Sequence, residues 1–152
     1  MSGAVSSRMG PREIHRSPYF VLRYDQARRF IVLTRTNAAY PSLEVLRETF
    51  AHMDAAIAHI WKQKSCLLID SRQSPARNDD AFEAEFARLR KQFIRDFGKI
   101  AVLVQSAVGV LQVARHMRVD DVPVAVYTEV NEALTHLGVS IPPEFIDLHE
   151  GG

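Results

Sequence analysis

Residues 66–86, C-L-L-I-D-S-R-Q-S-P-A-R-N-D-D-A-F-E-A-E-F, change character twice. An unalternating apolar run gives way to a polar loop, and the loop to a charged segment whose phenylalanines recur at helical spacing. A short apolar run without polar alternation fits a strand covered on both faces. Strand, loop and helix in that order form the repeating unit of parallel sheets. In open α/β sheets the loops at such strand ends are where ligands collect. This one stretch therefore sets the fold class and marks where a site is expected.

Two further runs downstream have the same character, I-A-V-L-V (100–104) and V-P-V-A-V-Y (122–127), the second with Pro123 near its start. Helices are expected between them at about 79–97 and 106–117. A last helix near 129–137 is expected to end at Gly138, which suits the left-handed position just past a helix. Upstream, Leu43, Leu46, Phe50, Met53, Ile57 and Ile60 make one helical stripe, which reads as core packing. Before it, Y-F-V-L-R-Y-D (19–25) and R-F-I-V-L-T-R (29–35) read as a hairpin around a short polar turn. Phe20, Leu22 and Tyr24 share one strand face, and Phe30, Val32 and Thr34 another.

The expected fold is α/β: a mixed, mainly parallel sheet of about five strands, opened by an antiparallel hairpin, with helices packed on it in the order ββαβαβαβα. Right-handed crossovers are expected. Residues 1–17, rich in Ser, Gly, Arg and Pro, read as a mobile leader, 18–138 as the domain and 139–152 as a tail. In the tail, I-P-P-E-F-I-D-L-H is expected to form one turn that sets Phe145 and Leu148 against the body or a second subunit.

The totals bound the function. The 152 residues suit one domain with a sizeable core. A formal charge of +1 gives no global pull toward nucleic acid, and no nucleic-acid partner is expected. The apolar runs are too short to span a bilayer, so no stable membrane insertion is expected. Cys66 is the only cysteine, which fits a reducing, cytoplasmic setting, and the N-terminus lacks the apolar centre of a signal peptide.

At the strand-end loop, a phosphate cradle would need glycine-freed amides, and this loop contains no glycine. It offers Arg72 and Arg77, but Asp79 and Asp80 stand where an anion would sit. Asn78, Asp79 or Asp80 suits a helix cap, and Asp80 with Glu83 has capping-box spacing. Along the same helix, Arg88, Lys91, Arg95 and Lys99 form a basic stripe opposite Phe82, Phe86, Leu89, Phe93 and Phe97. No aromatic is interleaved with that stripe, as base stacking would require.

Fingerprints of P-loop, dinucleotide and receiver-domain sites are missing. His52 and His59 lie seven apart, which does not suit a helical zinc site. Cys66 reads as a small core residue, and neither Ser71 nor Ser74 stands in a nucleophile elbow. No catalytic residue, metal ligand or cofactor is therefore assigned, and the chain is expected not to be an enzyme.

With this element order, residues 18–138 resemble STAS-type domains, the modules of sulfate transporters and anti-sigma-factor antagonists. More closely they resemble the stand-alone bacterial subgroup labelled STAS-like or lipid-transfer-like. The likeness rests on the hairpin, the helix at 42–60, the L-L-I-D strand end with its loop and helix, and the A-V-L-V and V-A-V-Y runs. Antagonist-type members carry a phosphorylatable serine in D-S-x-G at the start of the helix after this strand. Here that helix opens Asn78-Asp79-Asp80-Ala81, and Asp70-Ser71-Arg72 stands earlier without the glycine. Ser71 and Ser74, the latter followed by Pro75, are the remaining candidates for phosphorylation.

The resemblance implies a regulatory binding module that engages a protein partner through the strand-end loop and following helix. The residues expected to do so are Asp70, Ser71, Arg72, Arg77, Asp79 and Asp80, extended by Arg88, Lys91 and Arg95. Reversing the charge of Arg72 and Arg77 together is expected to weaken docking and leave stability nearly unchanged. Two other readings stand beside this one: a carrier of a small apolar ligand or lipid, and a homo-oligomeric (for instance homodimeric) scaffold.

Overall fold

The computed structural model describes residues 10–75, 79–111 and 124–147, and in it the expected mixed sheet carries one strand more than the sequence suggested. Six strands lie side by side in chain order: β1 (Arg12–Arg16), β2 (Phe20–Asp25), β3 (Phe30–Arg35), β4 (Cys66–Asp70), β5 (Lys99–Leu103) and β6 (Ala125–Tyr127). The first two pairings are antiparallel and the other three parallel. In register, Thr34 lies opposite Asp70 and Asp70 opposite Leu103. The carboxyl ends of β3, β4 and β5 are thus level, and the loops leaving them open on one edge.

β1 is a correction to the reading of residues 1–17 as a mobile leader, because 12–16 are part of the sheet. Four of its five residues are exposed, so it owes its existence to pairing with β2 rather than to an apolar pattern of its own. Its charges also discourage a second sheet from adding to this edge. The turn from β2 to β3 is held by Asp25, whose carboxylate accepts from the Arg28 backbone N–H (3.1 Å) and the Arg28 guanidinium (2.6 Å). Arg29 then takes a left-handed conformation, φ 52°, which closes the hairpin.

Each face of the sheet is covered by a different part of the chain. On one face Phe20, Leu22, Ile31, Leu33, Leu67, Ile69, Ile100 and Val102 pack under α1 (Leu43–Ala56) and α2 (Asp80–Ile94). The expected stripe does this work: Leu46, Phe50 and Met53 of α1 are fully buried, as is Phe93 of α2. Each such side chain contributes about 1.5–3 kcal/mol through burial. Ser42 caps α1, its hydroxyl accepting from the Val45 N–H at 3.2 Å. α2 ends at Ile94, short of the expected 97, because Asp96 turns left-handed (φ 76°), yet Phe97 still reaches the core.

On the other face Phe30, Val32, Leu68, Ala101 and Leu103 pack under α3 (Val130–Leu137). Gly138 follows α3 at φ 73°, as its position predicted. The expected helix at 106–117 is helical over 107–111, and its remainder lies outside the described residues, together with Val122 and Pro123.

The segment after Gly138, read as a separate tail, belongs to the domain up to Asp147. A 3₁₀ turn (Pro143–Phe145) leads into Ile146, which is fully buried in the second core. Phe145 lies so close over Gly10 that an added Cβ there would stand 2.9 Å from its ring. Beneath the segment Arg23, itself buried, donates to the carbonyls of Phe145 and Ile146, both at 2.7 Å. Burial pushes the Arg23 pKa down, and Asp70 and Asp147 partly offset this. The turn therefore packs against the body, as one of the two expected placements had it, while Leu148 is outside the described residues.

Candidate functional site

The loop after β4 begins on a fixed footing. Asp70 is buried at the strand end, and its carboxylate accepts three bonds from Arg72: from the backbone N–H (3.2 Å), Nε (2.9 Å) and Nη2 (2.8 Å). Nη2 of Arg72 also reaches Asp147 at 2.8 Å. The hydrogen bonds to Asp70, joined by those to Asp147, hold the guanidinium well above its ordinary pKa. The Ser71 N–H donates to Leu103 O (2.9 Å), tying the loop to β5, and the Ser74 N–H closes a turn on Ser71 O (3.1 Å). Ser71 is half-buried and Ser74 exposed.

Two of the nominated residues are therefore committed inside the molecule. Asp70 is not a surface group, and Arg72 binds the strand end to the C-terminal segment. This geometry argues against the expectation that reversing Arg72 and Arg77 together leaves stability nearly unchanged, because a carboxylate at position 72 would face Asp70 and Asp147. Arg77 and Asn78 lie outside the described residues.

Asp79 caps α2, its carboxylate accepting from the Ala81 N–H (3.0 Å) and the Phe82 N–H (3.3 Å). The cap sits one residue before the Asp80–Glu83 box, so Asp80 is an exposed first-turn acid that complements the helix dipole. Further along, Arg88 binds Glu85 through Nε (2.9 Å) and Nη2 (2.7 Å), and Arg47 of α1 meets the same carboxylate at 2.6 Å. These bonds, from Arg88 first and then Arg47, lower the Glu85 pKa to about 2. Lys91 and Arg95 are exposed, and among the described residues no hydrogen bond or ion pair engages either side chain. Of the nominated set the structure thus exposes Asp79, Asp80, Arg88, Lys91 and Arg95 along α2 and its two ends, with Ser71 half-buried at the base of the loop.

The remaining candidates fall into the framework. Cys66 is half-buried, and burial pushes its thiol up to about 11, so it is inert near neutral pH. His52 and His59 are exposed, His52 tilted against His15 and His59 edge-on to Tyr24, and no group of three metal-type side chains occurs among the described residues. Phe82 and Phe93 of α2, and Phe97 beyond its end, are buried in the core, with Phe86 edge-on to Phe50. No helix among the described residues is long and apolar enough to cross a membrane.

Beside the loop lies a feature that sequence reading missed, an open depression of about 580 Å³ lined by Arg16, Ser17, Pro18, Thr36, Asn37, Ala38 and Gln73. Its residues come from three separate segments, none with a motif, so only the sheet order brings them together. No family model, no curated protein and no solved structure matches the chain.

Proposed function

We propose that the chain is a non-catalytic, regulatory protein-binding module of STAS-like type, docking its partner through the loop after β4 and the exposed side of α2. One observation carries this reading. A loop whose base is locked by Asp70, Arg72 and Asp147 presents Ser74, Asp79 and Asp80 at one end of a helix that carries unengaged Lys91 and Arg95 toward the other. Rigid scaffolds that hold a polar loop outward are how binding surfaces are commonly built. Acids at the helix start and bases toward its end make a dipolar strip, which sets orientation and association rate more than affinity.

The test uses Lys91→Glu with Arg95→Glu, residues outside the framework, after circular dichroism has confirmed the fold. A partner captured by wild type, lost by the double variant and cross-linked to α2 supports the reading. Equal capture by both proteins removes this surface from it.

A further inference from the structure

We propose that the depression beyond the carboxyl ends of β3 and β4 is a binding site for a small organic anion, held through a carboxylate or phosphate group. The proposal does not rest on the docking surface, since it takes only Gln73 from that loop and none of the residues named for docking.

Place comes first. The depression opens where two parallel strands end level, the position at which open α/β sheets gather ligands. At about 580 Å³ it is within the range of small-molecule sites and larger than a bare ion needs.

The lining supplies recognition chemistry. Arg16 ends β1, Asn37 follows β3 and Gln73 follows β4, so three segments converge on one hollow. Glu13 fixes the Arg16 guanidinium through Nε (3.0 Å) and Nη2 (2.9 Å). Among the described residues no hydrogen bond uses the side-chain amide of Asn37 or of Gln73. A guanidinium with two unengaged amides suits an oxyanion, because each supplies N–H donors. No carboxylate is among the lining residues, and the Glu13 carboxylate paired with Arg16 offsets part of its charge.

The rim is already in place. The Thr36 hydroxyl donates to Pro18 O (2.6 Å) and accepts from the Ala38 N–H (3.3 Å), and the Ser17 hydroxyl accepts from the N–H groups of Tyr19 (3.2 Å) and Phe20 (3.1 Å). Under this rim Arg35 is buried, donating to Tyr19 O (3.1 Å), Thr36 O (2.7 Å) and Ala38 O (2.7 Å) and lying against the rings of Phe20 and Tyr40. No carboxylate pairs with it among the described residues, and burial lowers its pKa. Arg35 is bonded to the carbonyls of Thr36 and Ala38, two residues of the lining, so its positive charge stands next to the hollow. An anion there would offset that charge.

The experiment is an amide chemical-shift titration of the full chain with inorganic phosphate and separately with citrate, each against sodium chloride at matched ionic strength. The expected result is saturable shifts at the amides of Ser17, Thr36, Asn37, Ala38 and Gln73, with Kd in the roughly millimolar range for these minimal probes. Stronger response to one probe tells a phosphate site from a carboxylate site. Arg16→Gln should weaken binding about tenfold and Gln73→Ala a few-fold, as loss of charged and neutral donors would. Gln73→Ala breaks no bond of the framework, so it decides the matter if Arg16→Gln disturbs β1. Shifts reproduced by chloride, shifts centred on Lys91 and Arg95, or folded variants that bind as wild type would each overturn the proposal.

Discussion

Arg72 and Asp147, 75 positions apart in sequence, meet at 2.8 Å through the same nitrogen that holds Asp70. One guanidinium thus joins the end of a central strand to the last described residue of the chain.

Removing that guanidinium strips buried Asp70 of its hydrogen-bonded cation and leaves Arg23 as the charge acting on it. Arg72→Ala should cost about 2–4 kcal/mol, because a buried carboxylate that loses its hydrogen-bonded partner is expensive. Asp147→Asn, at a half-exposed position, should cost under about 1 kcal/mol. Denaturant unfolding of both variants checks the asymmetry, and equal small losses would show that Arg72 is not structural.

Ile146 is the apolar anchor of the same segment. Ile146→Ala should cost about 2–4 kcal/mol, the usual range for emptying a core position. Hydrogen exchange should then rise first at the segment and at α3, before the helices of the opposite face. Uniform loss of protection would mean that the segment is not a separate closing element.

Gly138 meets nothing within 4 Å of an added Cβ, so any penalty there comes from its backbone. With φ at 73°, Gly138→Ala should cost about 1 kcal/mol, and Gly138→Asn less, since asparagine tolerates this conformation better. Thermal unfolding of the pair provides the comparison. An unchanged Tm in the alanine variant would refute the cap.

Glu85 gives a pH signature. Its pKa is lowered to about 2, so the stabilisation from Arg88 and Arg47 is fully present above its unfolded value near 4.5 and is lost as pH falls toward 2. Glu85→Gln should therefore lower Tm slightly by a constant amount above pH 5, with the difference closing between 4.5 and 2. Solvent reaches this cluster, and added salt should shrink the effect. A difference that widened on acidification would contradict the pairing.

Much of this architecture could be read from the chain because it is local. Ser42, Asp79 and Gly138 act within a few residues of themselves, and the stripe from Leu43 to Ile57 carries its own period. Asp79 rather than Asp80 became the cap because its carboxylate reaches two freed amides of the first turn. β1 was hidden because an edge strand with one covered side has little apolar signal, and R-E-I-H-R has the composition of a loop. Arg72 looked like a surface residue because its second partner is remote in sequence. Arg23 and Arg35 sit in strands at alternating positions, but their burial depends on what covers each end of the sheet. The hollow between Arg16, Asn37 and Gln73 is likewise a product of topology, with no trace in any single segment.

The division of the sheet's two faces has a consequence for synthesis. Residues up to 103 can assemble β1–β5 with α1 and α2, leaving Phe30, Val32, Leu68, Ala101 and Leu103 bare on the far side. Among the described residues, that surface takes its helical cover from 130–147, the last of them to leave the ribosome. A chain stalled before that point would hold a half-clad sheet, a natural client for chaperones that recognise apolar strands, and completion of the back layer would be the step that releases it.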